Sequence, residues 1–564
     1  MIKHRIFVGL FFLYSFWVAP FVVAAQPASS KLGMVASEQH LASDIGANIL
    51  RQGGNAVDAA VAVGYALAVV NPCCGNIGGG GFMTLHLANG ENIFINFRER
   101  APLAAKSTMF LDAAGNLVPG ASTVGYLAVA TPGTVLGLET ALKKYGTFSR
   151  EKLMAPAIQL AEKGYILTAG DIKLLDAHID DFKKQSNVAA IFLKNNKPYQ
   201  VGDRLMQANL ATSLKLISRD GVDAFYKGQI AEKIVKASQQ NHGLLSMEDF
   251  AAYSVNMLPP VTCSYHGYTI ISAPPPSSGG VTLCEMLNII EKYPLKKLGF
   301  HSVMSTHYIV EAMRYSFYDR NKYLGDPDFV KNPVAELTSK SYAAEIRDKI
   351  KPDRATPSSE LGMKAELHEG MHTTHYSVTD KWGNAVSVTY TLNSFFGAQV
   401  IAGDTGFFLN NEMDDFASKP GDKNQFGLVQ GAVNAIAPGK RPLSSMTPTI
   451  ITQNGHVVMV VGCPGGPRII TATMEVILNV LDYRMNVQDA VNASRFHHQW
   501  YPDSIDIEPN AFSPQTMKAL KHMGYRFVPL PEWGAVEAIT INPLTHVQYG
   551  ANDKRRPAGK ATGY

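Results

Sequence analysis

The strongest constraint on the fold is a change of period near the middle of the chain. Between residues 40 and 370 apolar residues recur at helical spacing, whereas from Thr373 onward they alternate. Thr374, Tyr376 and Val378 alternate with His375, Ser377 and Thr379, Lys381-Trp382-Gly383-Asn384 is a turn signal, and Ala385–Thr391 alternates again. This pattern predicts a β-hairpin. With the turn centred on Trp382, facing positions sum to about 764, which sets Thr373 opposite Thr391 to within about one residue. Upstream, Gly53–Val70 is apolar nearly all round and predicts a buried helix. Residues 149–163 and 223–238 have amphipathic helical spacing. Ser149 stands where a helix N-cap belongs, which accounts better than chemistry for its Ser-x-x-Lys match to penicillin-binding enzymes. A second strand, His456–Val461, runs through Gly462-Cys463-Pro464-Gly465-Gly466-Pro467 into a helix from about Arg468 to Leu481. The mixture predicts an α/β layered fold with a substantial antiparallel sheet.

Composition narrows the partners. Of 564 residues 46% are hydrophobic, and 51 Lys plus Arg nearly balance 47 Asp plus Glu. No basic stripe interleaved with aromatics is present, which argues against nucleic acid. Lys3, His4 and Arg5 precede an apolar stretch from Ile6 to Val23, and Val23-Ala24-Ala25 offers a signal-peptidase site before Gln26. The expectation is a periplasmic or secreted protein with its signal peptide at residues 1–25 and no stable membrane anchor. The five cysteines are too few for a disulfide scaffold. Export permits a Cys263–Cys284 bond, whereas adjacency makes a Cys73–Cys74 bond strained.

Several short segments can carry chemistry. Thr373 and Thr391 put two hydroxyls at the open end of one hairpin, although spacing alone favours an ordinary cross-strand pair. Gly465 and Gly466 precede a helix, so their N–H groups can form an oxyanion hole or simply a tight turn. Glu412, Asp414 and Asp415 cluster within four residues. Ser444 and Ser445 supply adjacent hydroxyls, and Arg98 can grip a carboxylate. The run Gly78–Gly81 lacks the Gly-Lys-Ser/Thr ending of a phosphate loop, but lets the backbone pass close to a neighbour. His368-Glu369-Gly370-Met371-His372 matches the His-Glu-x-x-His pattern of zinc proteases. Zinc chemistry needs both histidines on one helical face, and here a glycine interrupts a short segment beside a strand. No metal or cofactor is therefore expected.

Together these segments resemble the γ-glutamyltranspeptidase family. The matching stretches are Gly53–Ala60, Gly75–Phe82, Phe97–Glu99, Thr373–Ser377, Asn410–Phe416, Pro442–Met446 and Gly465–Gly466, and the resemblance runs from about residue 33 to the C-terminus. It implies an Ntn-hydrolase fold, a four-layer αββα sandwich. It also implies a precursor that cuts itself between His372 and Thr373. The products are a large subunit, residues 26–372, and a small catalytic subunit, residues 373–564, interwoven as one unit.

The resemblance also implies roles. Thr373 is the nucleophile, and its freed α-amino group serves as base. Thr391 activates Thr373, while Gly465 and Gly466 stabilise the oxyanion. Arg98, Ser444 and Ser445 bind the α-carboxylate of a γ-glutamyl donor such as glutathione, and Asp415, aided by Asn393 and Glu412, binds its α-ammonium. Water or an amino acid then accepts the acyl group. His375 is expected to pack rather than react. Two positions depart from the family pattern: Glu412 where bacterial relatives often carry Gln, and Phe426, in the lid-like segment 419–431, where Tyr is frequent. Alternatives are a glutaryl acylase acting on β-lactams, a zinc protease using His368, Glu369 and His372, and a non-enzymatic binding protein.

Overall fold

The computed structural model describes residues 25–362 and 373–564, apart from Lys423, Phe426, Gly427, Val429 and Gln430. Two seven-stranded sheets, each antiparallel, pack face to face. The first runs in the order Lys560–Gly563, Met34–Ser37, Thr374–Thr379, Ala385–Thr391, Gly80–His86, Asn92–Phe97, Asn256–Leu258. The second runs Ala28–Ser30, Gln548–Ala551, Glu537–Ile541, His456–Gly462, Thr449–Gln453, Tyr268–Ser272, Val261–Tyr265. Helices His40–Arg51, Ala56–Val70 and Thr134–Tyr145 cover the outer face of the first sheet, and Gly279–Ile290, Arg468–Leu481 and Val487–Asn492 cover the second. This is the expected αββα sandwich. Each sheet takes strands from both sides of residue 372, so neither half of the chain completes a sheet alone.

The hairpin has the register that a Trp382-centred turn predicts, with Thr374 opposite Tyr390 and Thr379 opposite Ala385. Alternation then decides which side chains look inward. Ser377 Oγ donates to Glu537 O at 3.0 Å, toward the second sheet. The His375 ring lies against Gly462, where a Cβ would come within 2.3 Å of it. Thr373 shares that inward face. Tyr390 points the other way and donates to Gly64 O at 2.9 Å, in the helix Ala56–Val70. Every residue of that helix is buried, and Asn55 and Asp58 form a capping box at its start. The glycine run has a concrete cause: a Cβ on Gly79 would meet Thr391 O at 1.8 Å and one on Gly78 would meet Phe408 O at 2.0 Å.

Two local expectations change. The spacing over 223–238 belongs to two helices, Val222–Tyr226 and Gln229–Gln240, because Lys227-Gly228 breaks the backbone while the apolar phase carries on. Cys263 and Cys284 are bonded, and so are the adjacent Cys73 and Cys74, leaving Cys463 as the free thiol. The Cys73–Cys74 pair sits in a turn just after the buried helix, and its carbonyls accept from Phe396 and Leu392 N–H.

Candidate active site

A small, partly open cavity brings together Arg98, Thr373, Thr391, Asn393, Glu412, Asp415, Ser444, Ser445 and Gly466, residues spread over most of the chain. Gly465 lies one residue back on the same turn. His368, Glu369, His372 and Phe426 fall outside the described residues. Among the described residues no group of three or more His, Cys, Asp or Glu is placed to hold a metal ion.

One end of the cavity is made of hydroxyls and backbone. Thr391 Oγ1 donates to Thr373 Oγ1 at 3.4 Å. It in turn accepts the N–H of Asn393 at 2.7 Å, so the Thr391 proton is directed at Thr373. Asn393 adopts a left-handed φ of 77°, and its side chain donates to Asn411 O at 3.0 Å. Opposite, the strand His456–Gly462 ends and the helix Arg468–Leu481 begins. Gly465 and Gly466 have φ values of 133° and 56°, and among the described residues neither N–H donates to a protein acceptor. Two free donors at a helix N-terminus attract negative charge. Among the described residues no histidine lines the cavity. His375 is fully buried, engaged by Thr389 at 2.8 Å and Ser377 at 3.1 Å, and burial pushes its pKa down to about 3. It is a packed residue, as expected, and a poor base.

The other end is crowded with charge. Arg98 follows the strand Asn92–Phe97 and reaches two residues of the short 3₁₀ turn Glu412–Asp415. Its guanidinium is hydrogen-bonded to Glu412 and, at 2.5 Å, to Asp415, with Glu99 at 3.6 Å. Burial alone would loosen the Arg98 proton, but Glu412, Asp415 and Glu99 outweigh burial and raise its pKa. Burial raises Glu412 well above the usual carboxylate range and Glu99 to about 7, despite the attraction of Arg98. The groups assigned from sequence to opposite ends of a zwitterion thus hold one another here. Asn410 fixes the turn by accepting the N–H groups of Ala130 and Glu412, both at 3.0 Å.

Arg320 also lines the cavity, and no motif in the sequence points to it. It lies inside the long helix Val303–Tyr323, where an arginine in helical spacing carries no distinguishing signal. Glu99 stands out in the sequence only as part of a matching stretch. Leu428, Leu443, Met446, Pro467 and Ile469 complete the wall.

Known proteins resemble this chain over nearly its whole length. A sequence profile described as Gamma-glutamyltranspeptidase matches residues 42–563. The chain is 54% identical over 547 residues to a glutathione hydrolase proenzyme of Pseudomonas sp. (strain A14), covering 95% of each. It is 48% identical over 542 residues to the glutathione hydrolase proenzyme of Escherichia coli (strain K12), covering 95% of this chain and 93% of the relative. Among solved structures it resembles cephalosporin acylase from Bacillus halodurans, with a TM-score of 0.85 at 27% identity over 98% of this chain and 99% of that one.

Proposed function

The chain belongs to the γ-glutamyltranspeptidase family, and on that basis we propose that it is a self-processing γ-glutamyl hydrolase and transferase acting through Thr373 on glutathione and related compounds. The carrying observation is that the Thr373 and Thr391 hydroxyls, 3.4 Å apart, open into a cavity whose described lining holds no histidine. A threonine hydroxyl needs a base. Cleavage between His372 and Thr373 supplies one, because it frees on the nucleophile itself an α-amino group, whose ordinary pKa is about 7.7–8.0. The products are the subunits 26–372 and 373–564. Their interleaved strands keep them together after the cut.

In this mechanism the neutral amine takes the Thr373 hydroxyl proton, directly or through water, as the oxygen attacks the γ-carbonyl. Thr391, donating to Thr373 Oγ1, lowers the cost of charge on that oxygen. The free N–H groups of Gly465 and Gly466 receive the tetrahedral oxyanion. The protonated amine then returns its proton to the leaving amine, and an acyl-enzyme remains. Water or an amino acid attacks it by the same route in reverse.

The charged end fits a zwitterionic head. When the donor's α-carboxylate meets Arg98, Ser444 and Ser445, and its α-ammonium meets Asp415, Glu412 and Asn393, the Arg98–Asp415 pair is exchanged for two new pairs. Buried charges therefore keep partners throughout. A glutaryl acyl group offers no ammonium, and leaves Asp415 with less than the site was built to hold.

Kinetics with γ-glutamyl and glutaryl anilides side by side test this reading. A γ-glutamyl preference of about 10²-fold or more supports it, and a glutaryl preference makes the protein a β-lactam side-chain acylase instead. The basic and apolar run at residues 3–23 and the two disulfides support export, since disulfides persist in oxidising compartments. Among the described residues no helix is long and apolar enough to cross a membrane.

A further inference from the structure

Arg98 and Arg320 line the same cavity, and both are 1% exposed, but they are not in the same electrostatic condition. Arg98 has carboxylates of Glu412, Asp415 and Glu99 within ion-pair distance. Among the described residues Arg320 has none. Its bonds go to neutral oxygens: Ser278 Oγ at 2.9 Å, Asn321 Oδ1 at 2.6 Å and Ser445 Oγ at 3.0 Å. Burial loosens its proton, with a pKa of about 10, and it remains a cation at neutral pH. Arg320 is therefore a cavity cation with no carboxylate in ion-pair contact among the described residues, and Asp415 acts on it only from farther away.

The bond to Ser445 has a second consequence. A hydroxyl that accepts from a guanidinium must aim its own proton elsewhere. Ser445 Oγ donates to no protein acceptor among the described residues, and it faces the cavity. Ser444 is arranged alike, since its Oγ accepts the Met446 N–H at 3.0 Å. Arg320 also fixes the backbone behind both serines: it donates to Ser278 Oγ, which donates to Ser444 O at 2.7 Å. Two hydroxyls that donate to no protein acceptor among the described residues thus line the cavity beside a cation with no carboxylate in ion-pair contact, an arrangement that suits an incoming carboxylate.

We propose that Arg320 is a specificity-determining residue for the donor's α-carboxylate, polarising Ser445 toward it and supplying the positive charge that Arg98 already shares with three acids. This inference rests on the γ-glutamyl reading above.

The test compares a γ-glutamyl anilide with its α-carboxamide, which has the same shape and no carboxylate charge. Wild-type protein should favour the carboxylate donor by about 10²-fold or more in kcat/KM. Arg320→Gln, processed into two subunits and folded, should lose about 10²-fold on the carboxylate donor, mostly through KM, and under about 3-fold on the carboxamide. Arg320→Lys should recover about 10-fold, because it restores the charge but not the planar fork. The Arg320→Gln and Ser445→Ala losses should fall well short of additive. Equal losses on both donors would reduce Arg320 to a structural clamp and overturn the proposal. If Arg320→Gln fails to fold, the same comparison on Arg320→Lys decides: a loss confined to the carboxylate donor supports the proposal, and a loss shared by both overturns it. A wild-type preference that survives intact in the variants overturns this inference alone, whereas no wild-type preference overturns the head-group reading together with it.

Discussion

The two ends of the cavity use opposite chemistry. At the Thr373 end the polar groups of the described cavity lining are hydroxyls, an amide and backbone N–H groups. At the far end Arg98, Glu99 and Glu412 are buried around the partly exposed Asp415, with the buried Arg320 on the same cavity wall. In the proposed mechanism the Thr373 end makes and breaks bonds, and its described cavity lining holds no ionisable side chain, whereas the end dense with charge only binds. The difference shows a division of labour. Recognition of a zwitterion needs fixed charges held in register. Acyl transfer needs a base of moderate pKa, which in the proposed mechanism is the α-amino group of Thr373.

The contrast is most exposed to failure at Thr373. Thr373→Ala should remain one uncut chain and lose about 10⁴-fold or more in kcat/KM, of the order seen when a covalent nucleophile is removed. Efficient cutting by a protease-free preparation of that variant would move the chemistry elsewhere. At the charged end, Asp415→Ala should process normally yet lose about 10²-fold on γ-glutamyl donors. Its loss on glutaryl donors should be under about 10-fold, because those carry no ammonium. Equal losses in a folded, processed variant would make Asp415 a structural partner of Arg98.

The two ends should also answer pH differently. In the proposed mechanism the Thr373 amine must be neutral to act as base, so kcat/KM should fall as pH drops below about 7.7–8.0. At the charged end the effect is on stability. Burial raises Glu99 from 4.5 to about 7. A carboxyl whose folded pKa is raised favours the fold most below its unfolded value, and that contribution is lost as pH rises from about 4.5 to 7. Glu99→Gln cannot ionise, so its thermal unfolding midpoint should vary less with pH across that window than the wild type's. Identical pH profiles would show that Glu99 stays in one protonation state. The smallest effect concerns Cys463, two residues before Gly465. Burial raises its thiol to about 12 and its Sγ is occupied by Pro464 O. Cys463→Ser should change kcat/KM by under about 3-fold, since a thiol with no thiolate character has no part in the chemistry. A large loss would mean that this thiol takes part in the chemistry.

How much of this is legible in the sequence follows from how local each signal is. The hairpin register is readable because period-2 alternation and one turn define it. The buried helix Ala56–Val70 and the strand–glycine–helix turn at 456–481 are readable for the same reason. The break at Lys227-Gly228 escapes a reading by period because the apolar phase continues across it. The Cys73–Cys74 bond goes against the sequence expectation because adjacency alone shows nothing of the turn that accommodates it. Arg320 leaves no signal, since its hydrogen bond to Ser445 joins residues 125 apart in the chain. The closure of Arg98 on Glu412 and Asp415 is likewise a three-dimensional fact: sequence places these residues in one site but does not show them paired with one another.

The proposed mechanism requires that cleavage make Thr373 N-terminal and that Thr373 be the nucleophile. The decisive measurement is to incubate the purified protein with a γ-glutamyl donor, quench with acid, and sequence the smaller fragment by mass spectrometry. The expected fragment begins Thr373-Thr374-His375-Tyr376-Ser377 and carries the γ-glutamyl group esterified to the Thr373 hydroxyl. An uncut chain of full activity, or an acyl group carried by any other residue, would contradict it.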